Sequence, residues 1–308
     1  MKIVTLTLNP AFDVHCFCDN FKPYHESIAQ ITSRDAGGKG VNISRALTAN
    51  GTENLAIVIV GKENGTEFCQ ALQKDGLSVS AVWVDGRIRE NITLHQTKNP
   101  ETRISFEGFS CKNCVLEEIK ERIGKVNSQT IITFTGSISK GIEVTEVLAL
   151  LSDFKKMGAK IVIDSRSVSL ADLKEFKPWL IKPNKDEAEA YANRKTENVN
   201  DAIIVASEIY GKGVDNVIIS LGGDGAVYAC KGGVMVAQAP SVPVCSTIGA
   251  GDSMVAGFID GINKGLMDEQ VLKLAVAYGT AACQQEGTKP PCLEDIQALE
   301  KKVFVKTV

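Results

Sequence analysis

The sequence has no long hydrophobic run. None of its apolar stretches reaches the 18 or so residues that a membrane-spanning helix needs. The first apolar run, Ile3 to Leu8, stops at Asn9-Pro10 and is too short for the hydrophobic part of a signal peptide. The sequence therefore predicts a soluble, cytoplasmic protein that makes no membrane contact.

An excess of positive charge is also missing. The 308 residues carry 34 Lys and Arg against 37 Asp and Glu, a net charge of −3, so no general basic field exists to hold nucleic acid. Apolar residues at 44% and charged residues at 23% are ordinary values that argue against disorder. An anionic ligand must therefore be held by a local site.

The cysteines do not form an evident framework. There are nine of them, an odd number, in a chain long enough to bury a core without disulfides. Cys16-x-Cys18 and Cys111-x-x-Cys114 could together supply four zinc thiolates. Because no His follows at a ligand spacing, reduced thiols are the favoured interpretation.

Short β-branched runs alternate with longer amphipathic stretches. The runs that predict strands are 3–8, 55–60, 130–134, 160–164, 179–182 and 216–220. The stretches that predict helices are 40–50, 66–74, 114–125, 144–156, 186–193, 202–210, 252–264 and 269–286, with one more helix after Leu293. This alternation predicts a three-layer α/β fold with a mainly parallel central sheet.

Two segments, 11–36 and 87–109, break this alternation. They contain short alternating runs at 14–17, 28–31, 92–96 and 103–106, punctuated by Pro, Gly and Asn. They predict a small second sheet that stands off the core as a lid or a dimerisation surface. Since no repeat or long linker interrupts the chain, we expect a single domain over residues 1–308.

A small-residue loop before a helix is the sharpest chemical signal. Gly249, Ala250 and Gly251 would expose backbone N–H groups at a helix N-terminus, which is a site for an anion. Asp252 follows them and could accept a proton from an attacking hydroxyl. The alternative is an ordinary helix cap, for which Asp and Gly are common residues.

Two further glycine-rich segments have similar alternatives. Gly37-Gly38-Lys39-Gly40 opens a helix that carries Asn42, yet it has neither P-loop nor dinucleotide-binding spacing, so a plain turn is the alternative. The segment 220–225 follows an apolar strand, a place where α/β sheets bind ligands. Because residues 226–230 also look like a strand, this segment could instead be a hairpin turn.

The fourth motif is Lys182-Pro183-Asn184, with Glu187 three residues after the Asn. This spacing predicts a capping box at the start of a helix. The functional alternative is a Mg²⁺ site in which the metal keeps most of its waters.

Taken together and in this order, the four motifs resemble those of the ribokinase-like (pfkB) carbohydrate kinases over essentially the whole chain. Thr7-Leu8-Asn9-Pro10-Ala11-x-Asp13, Arg89-Glu90-Asn91, Gly136-Ser137 and Ala275-Val276-Ala277-x-Gly279 narrow the resemblance to the hexose-phosphate kinase branch. The resemblance implies a ribokinase-like fold with a β-lid and phosphorylation of a ketohexose monophosphate by ATP with Mg²⁺. Fructose 1-phosphate is the first expected substrate, then tagatose 6-phosphate and fructose 6-phosphate. A catalytically silent sugar-phosphate sensor is the alternative from another class.

The resemblance also implies a role for each matching residue. Asp252 would be the base, with the anion hole at Gly249, Ala250 and Gly251. Sugar hydroxyls would be bound by Asp13, Gly38 and Asn42, and the substrate's phosphate by Lys39, Arg89 and Ser137. ATP would be bound by Lys182, Asn184, Ser220, Gly222, Gly223, Gly225, Val276 and Thr280, and Mg²⁺ through water by Asn184 and Glu187. The lid would join two subunits into a homodimer.

Three positions depart from the pattern of this branch. Glu26 stands where a basic lid residue is usual, whereas Arg103 and Arg166 add cations that the branch lacks. We expect either neutral drift or a changed sugar-phosphate pocket in which one arginine replaces the missing cation.

Overall fold

The structure is a computed structural model that describes residues 1–97, 101–112 and 114–308. Its main sheet has ten strands in the order β14-β13-β12-β11-β10-β9-β8-β1-β4-β5. The bounds are β1 (Lys2–Thr7), β4 (Leu55–Gly61), β5 (Val79–Val84), β8 (Thr130–Thr135), β9 (Lys160–Asp164), β10 (Leu180–Ile181), β11 (Asn216–Ser220), β12 (Ala226–Cys230), β13 (Gly233–Gln238) and β14 (Phe304–Thr307). Seven neighbouring strands, from β11 to β5, pair in parallel, as predicted.

Helices cover both faces of the sheet. They are α1 (Lys39–Ala49), α2 (Gly65–Lys74), α3 (Cys114–Ile123), α4 (Val144–Lys156), α5 (Leu170–Phe176), α6 (Lys185–Ala192), α7 (Val199–Gly211), α8 (Ala250–Asn263), α9 (Asp268–Ala282) and α10 (Leu293–Glu300). Alternate residues of a strand face opposite sides, so Val4 packs with α2, α3 and α4 whereas Ile3 packs with α1, α8 and α9. The three-layer α/β architecture is confirmed.

The sheet also contains an antiparallel part, of which only the hairpin at residues 220–230 was considered, as an alternative, from the sequence. β12 turns back along β11, and β13 and β14 extend the sheet in the same antiparallel manner. β5 was missed as well, because this edge strand is only partly buried and has no continuous apolar run. Helix α5 was missed because it buries no residue and so has no apolar period.

The small second sheet is confirmed. It consists of β2 (Ala11–Phe17), β3 (Gln30–Gly37), β6 (Arg89–His95) and β7 (Thr102–Ser105), in the order β3-β2-β6-β7. β2 and β6 run parallel with Asp13 opposite Asn91, and the outer pairs are antiparallel. We call this sheet the lid sheet.

Several predicted boundaries were wrong. Residues 28 and 29 are not in a strand: Ile28 is 91% exposed in the connection before β3, so its apolar side chain packs on nothing within the chain. β10 has two residues, Leu180 and Ile181, instead of the predicted four. Helix α9 ends at Ala282, before the segment that contains Gly287 and two prolines.

Across the residues that the structure covers, no helix is both long and apolar enough to cross a membrane.

Candidate active site

A cleft of about 1270 Å³ lies between the lid sheet and the carboxyl ends of the parallel strands. The structure brings every predicted site residue to its lining. These are Asp13, Gly38, Lys39, Asn42, Arg89, Ser137, Lys182, Asn184, Glu187, Ser220, Gly222, Gly223, Gly225, Gly249, Ala250, Gly251, Asp252, Val276 and Thr280. The residues converge because parallel strands end at the same edge of a sheet.

Two helices begin at this cleft. α1 starts after the N-cap Gly38, and α8 starts after the N-cap Gly249. Each start leaves backbone N–H groups without a partner inside the helix, with the positive end of the helix dipole behind them. The two first turns are joined by a hydrogen bond of 2.9 Å from Asn42 Nδ2 to Asp252 Oδ2. The cleft therefore offers two neighbouring places for negative charge.

Asp252 is buried, with 6% of its surface exposed. Burial raises the pKa of its carboxyl group to about 6, although Lys39 and the hydrogen bond from Asn42 act in the opposite direction. The group is thus ionised at neutral pH, and it holds a proton more readily than an ordinary aspartate. Such a carboxylate can exchange a proton with a ligand hydroxyl.

The buried Asp164 forms a charge cluster with the buried Lys182 and the partly exposed Lys39. Lys39 Nζ donates to Asp164 Oδ2 at 3.1 Å, and Lys182 Nζ lies 3.8 Å from the same oxygen. Burial alone would raise the pKa of Asp164, but Lys182 and Lys39 outweigh it and hold the pKa below its ordinary value. Burial would likewise lower the pKa of Lys39, but Asp164 and Asp252 raise it. Asp164 and Lys39 therefore stay charged at neutral pH.

Sequence reasoning did not include Asp164 among the site residues. Its signal was its position, because it is the last residue of the apolar strand β9 and so lies at the ligand-binding edge of the sheet.

The lid sheet contributes a polar wall. Asn91 Nδ2 donates to Asp13 Oδ1 at 2.9 Å, and Arg103 Nη2 lies 3.4 Å from the same oxygen. Arg89 donates to the carbonyls of Phe106 and Asn9. Burial lowers the pKa of Arg89, and Arg103 adds to this effect while Asp13 opposes it. Asn91 was not among the predicted site residues, and Arg103 was considered only as a replacement for the missing lid cation.

Five buried polar atoms of this cleft have no hydrogen-bond partner. They are Thr7 Oγ1, Asn9 Oδ1, Arg89 Nε, Asn91 Oδ1 and Thr135 Oγ1. A buried polar atom without a partner costs about 1–3 kcal/mol. Their presence in one cleft indicates a place for a ligand rich in donors and acceptors.

The capping box at the start of α6 is confirmed. Glu187 N donates to Asn184 Oδ1 at 2.8 Å, and Asn184 N donates to Glu187 Oε2 at 3.0 Å. The other carboxylate oxygen, Oε1, accepts from Arg166 Nε at 3.2 Å. In the part of the chain that the structure describes, no group of three His, Cys, Asp or Glu side chains is arranged to hold a metal ion.

The glycine-rich segment after β11 is a hairpin turn, as the alternative interpretation held. Ser220 pairs with Ala226, and Gly222–Asp224 forms a short 3₁₀ turn between the strands. Gly225 has φ +97°, and a Cβ there would lie 2.0 Å from the carbonyl oxygen of Ala237. The turn nevertheless lines the cleft, as do Val276 and Thr280 of α9.

The three departures fall in different places. Arg103 and Arg166 both line the cleft, whereas Glu26 is exposed outside it. Arg166 pairs with Glu187 and is 82% exposed, so it lies at the rim.

This fold, with two helix N-termini and a charged cluster in one cleft, is that of a sugar kinase that uses ATP. The chain belongs to the pfkB family carbohydrate kinases, whose profile matches residues 7–296. The prediction of a ribokinase-like kinase from the motifs is therefore confirmed.

Known proteins are similar over the full length. The 1-phosphofructokinase of Escherichia coli (strain K12) is 31% identical over 285 residues, which cover 92% of this chain and 91% of the relative. The 1-phosphofructokinase of Haloferax volcanii is 30% identical over 311 residues, covering 99% of each. Phosphofructokinase-2 from Escherichia coli, solved in complex with potassium, superposes with a TM-score of 0.91 at 27% identity and covers 98% of both chains.

Proposed function

We propose that this protein transfers the γ-phosphoryl group of ATP to fructose 1-phosphate and forms fructose 1,6-bisphosphate. The observation that carries the proposal is the cleft itself, which is lined by a buried carboxylate, a polar lid wall and a glycine-rich hairpin. The similarity to 1-phosphofructokinases favours fructose 1-phosphate among the ketohexose phosphates.

Asp252 is the proposed base. The substrate hydroxyl gives its proton to this carboxylate while its oxygen bonds to the γ-phosphorus, and the bond from that phosphorus to the bridging oxygen of ADP breaks. The backbone N–H groups of Gly249, Ala250 and Gly251 stabilise the negative charge on the transferring group. The burial of Asp252 and its raised pKa support this role.

Fructose 1-phosphate occupies the lid side of the cleft in this proposal. Its hydroxyls are bound by Asp13, Gly38 and Asn42, and its phosphate by Lys39, Arg89 and Ser137. The unpartnered atoms of Arg89, Asn9 and Asn91 support the placement, because a sugar phosphate supplies both the acceptors and the donors that they lack.

ATP occupies the hairpin side in this proposal. Its phosphates and ribose are bound by Lys182, Asn184, Ser220, Gly222, Gly223 and Gly225, and its adenine lies near Val276 and Thr280. The buried ammonium group of Lys182 beside the start of α8 supports the phosphate position.

Mg²⁺ would be held near Asn184 and Glu187 through water. Both side chains already serve the capping box, and the described residues offer no cluster of carboxylates, so the donor set fits a hydrated ion and not a dehydrated one. When bound, the ion neutralises charge on the phosphates of ATP.

We further propose a cytoplasmic homodimer that forms through the lid sheet. Exposed apolar side chains on or next to this sheet support the surface. They are Phe17, Tyr24, Ile28, Ile31, Ile104 and Phe106, with exposures from 40% to 103%.

A coupled assay of ADP release tests the function. Fructose 1-phosphate, tagatose 6-phosphate and fructose 6-phosphate are compared at equal concentrations, and fructose 1-phosphate should give the highest kcat/KM. A higher kcat/KM for tagatose 6-phosphate or fructose 6-phosphate would make that sugar phosphate the substrate. The assignment as a sugar-phosphate kinase would stand. Binding of a sugar phosphate without release of ADP would instead identify a sensor.

A further inference from the structure

Arg45 is a buried cation outside the lining of the cleft. It lies on α1, one turn after Asn42, and only 7% of its surface is exposed. Its guanidinium reaches three elements at once: Nε donates to Asp75 Oδ2 at 2.8 Å, Nη2 to the Ala36 carbonyl at 2.7 Å and Nη1 to Asn42 Oδ1 at 3.3 Å. The first two contacts fix the plane of the guanidinium, so its direction toward Asn42 is fixed as well.

This contact determines which way the Asn42 amide points. An amide has an acceptor oxygen on one side and a donor NH₂ group on the other. Because Arg45 can only donate, Oδ1 must face Arg45, and Nδ2 then faces Asp252 at 2.9 Å. A rotated amide would place its NH₂ group against the guanidinium.

We propose that Arg45 is a positioning residue for Asp252, because it holds the Asn42 amide with its donor on the carboxylate. The proposal rests on the function assigned to Asp252 above. A donor aimed at the carboxylate favours the ionised form, which is the form that accepts a proton. Without Arg45 the amide can rotate and accept a hydrogen bond from the protonated carboxyl, and this would favour the neutral form.

The contacts of Arg45 described above do not involve the other charged groups around Asp252. Lys39 lies on α1, Asp164 at the end of β9 and Lys182 after β10, and the two lysines lower the pKa of Asp252 while Asp164 raises it. Replacement of Arg45 leaves this cluster in place. Loss of the Arg45 charge would itself raise the pKa of Asp252, so the charge-conserving Arg45→Lys variant is needed to separate this effect from a rotation of the Asn42 amide.

The test measures the titration of Asp252 without using activity. The free energy of unfolding is measured from pH 4 to 8 for the wild-type protein and for Asp252→Asn. Ionisation of a group whose native pKa is raised destabilises the native state, so the stability difference between the two proteins grows with pH and levels off above the native pKa. The same pair is then made in the Arg45→Met background. There, the pH at which the difference levels off should rise by about 0.5–1 unit.

Two variants make the result specific. Asp75→Asn removes the counter-ion of Arg45 and keeps the contact with Asn42. In this background, the stability difference caused by Asp252→Asn should level off at the same pH as in the wild type. Arg45→Lys keeps the charge, but a single ammonium group cannot reach all three acceptors, so a smaller shift is expected. If Arg45→Met does not fold, Arg45→Lys decides the question.

The proposal would be overturned by a folded Arg45 variant in which the stability difference caused by Asp252→Asn levels off at the same pH as in the wild type. The pH dependence of kcat in the Arg45 variants provides a second readout. The fall of kcat at acid pH should move to higher pH, while KM for ATP stays within about twofold. Because the unfolding measurement needs no turnover, failure of the proposed kinase activity is seen separately, as absence of ADP release by the wild-type protein.

Discussion

At the scale of single residues, the two aspartates of the cleft have opposite properties. Burial is shared, yet Asp164 has two lysines within 4 Å whereas Asp252 has a neutral amide as its hydrogen-bond partner. The pKa of Asp164 is therefore lowered and that of Asp252 is raised to about 6. Neighbouring groups whose pKa values are moved apart are typical of acid–base sites.

Asp252→Asn should lower kcat by about 10²- to 10⁴-fold, because an amide cannot accept the hydroxyl proton. Binding of ATP should be unchanged. Both quantities are measured with the best ketohexose phosphate and with an ATP analogue in a direct binding assay. A variant that keeps more than about a third of wild-type turnover would show that Asp252 is not the base.

The pH dependence of turnover follows from the same residue. Protonation removes the base, so kcat/KM for the sugar phosphate should fall as the pH drops through about 6, the pKa of Asp252 in the free protein. The fall is measured at sugar-phosphate concentrations well below KM, where the rate reports the free protein. The small residual activity of Asp252→Asn should not show this fall at acid pH. An equal fall in that variant would show that another group titrates.

Lys39→Met should raise KM for the sugar phosphate by about 10- to 150-fold, because a charge-assisted hydrogen bond is lost. KM for ATP should change far less. Lys182→Met is the matched comparison, since its ammonium lies near the same Asp164 oxygen and Lys182 is assigned to ATP in the proposed function. Equal effects of Lys39→Met on both substrates would place Lys39 at the transferring phosphate.

At the scale of elements, the start of α8 joins local structure to chemistry. Gly249 caps the helix and Asp252 lies in its first turn, so the helix both presents N–H groups and fixes the carboxylate. Gly251 lies between them, and a Cβ there would come within 3.1 Å of Lys182 Nζ. A side chain at Gly251, in the first turn of this helix, would therefore take up space in the cleft.

Gly251→Ala separates stability from function at this position. Alanine is a better helix former than glycine by about 1 kcal/mol, so the melting temperature should stay equal or rise. Activity should fall because the added methyl displaces Lys182 and narrows the space for phosphate. Gly211→Ala, in α7 with open space around it, is the control for helix propensity alone. Retained activity in Gly251→Ala would contradict the proposed anion hole.

At the scale of the whole molecule, the lid sheet has an unpaired edge and exposed apolar side chains. β3 is an edge strand, and its Ile31 is 63% exposed. Exposed apolar surface of this kind marks association sites in soluble proteins. The homodimer and the single domain stay predictions.

Ile31→Glu should convert the proposed dimer to a monomer, because a charge would then have to be buried in the contact. Sedimentation velocity across a range of concentrations measures the change. Ile204→Glu, at a 43% exposed position on α7, is the control and should remain dimeric. A dimeric Ile31→Glu protein would place the contact elsewhere.

The sequence by itself determined the layers of the fold and the residues that meet in the cleft. Parallel strands buried on both faces are recognisable as apolar runs, and their ends share one edge, so loops after 134, 164, 182 and 220 had to converge. The glycine-rich helix starts were recognisable because they depend on neighbours in the chain. The roles of these residues stay predictions.

Only the tertiary structure decided which side chains became partners. The bond from Asn42 to Asp252 joins positions 210 residues apart, and the pair of Lys39 with Asp164 joins positions 125 apart. It also decided that β13 and β14 continue the sheet in an antiparallel manner and that Arg45 donates to the Asn42 amide oxygen. Local patterns reflect burial and backbone preference, whereas these partners follow from the packing of distant elements, which brings their side chains within hydrogen-bonding distance.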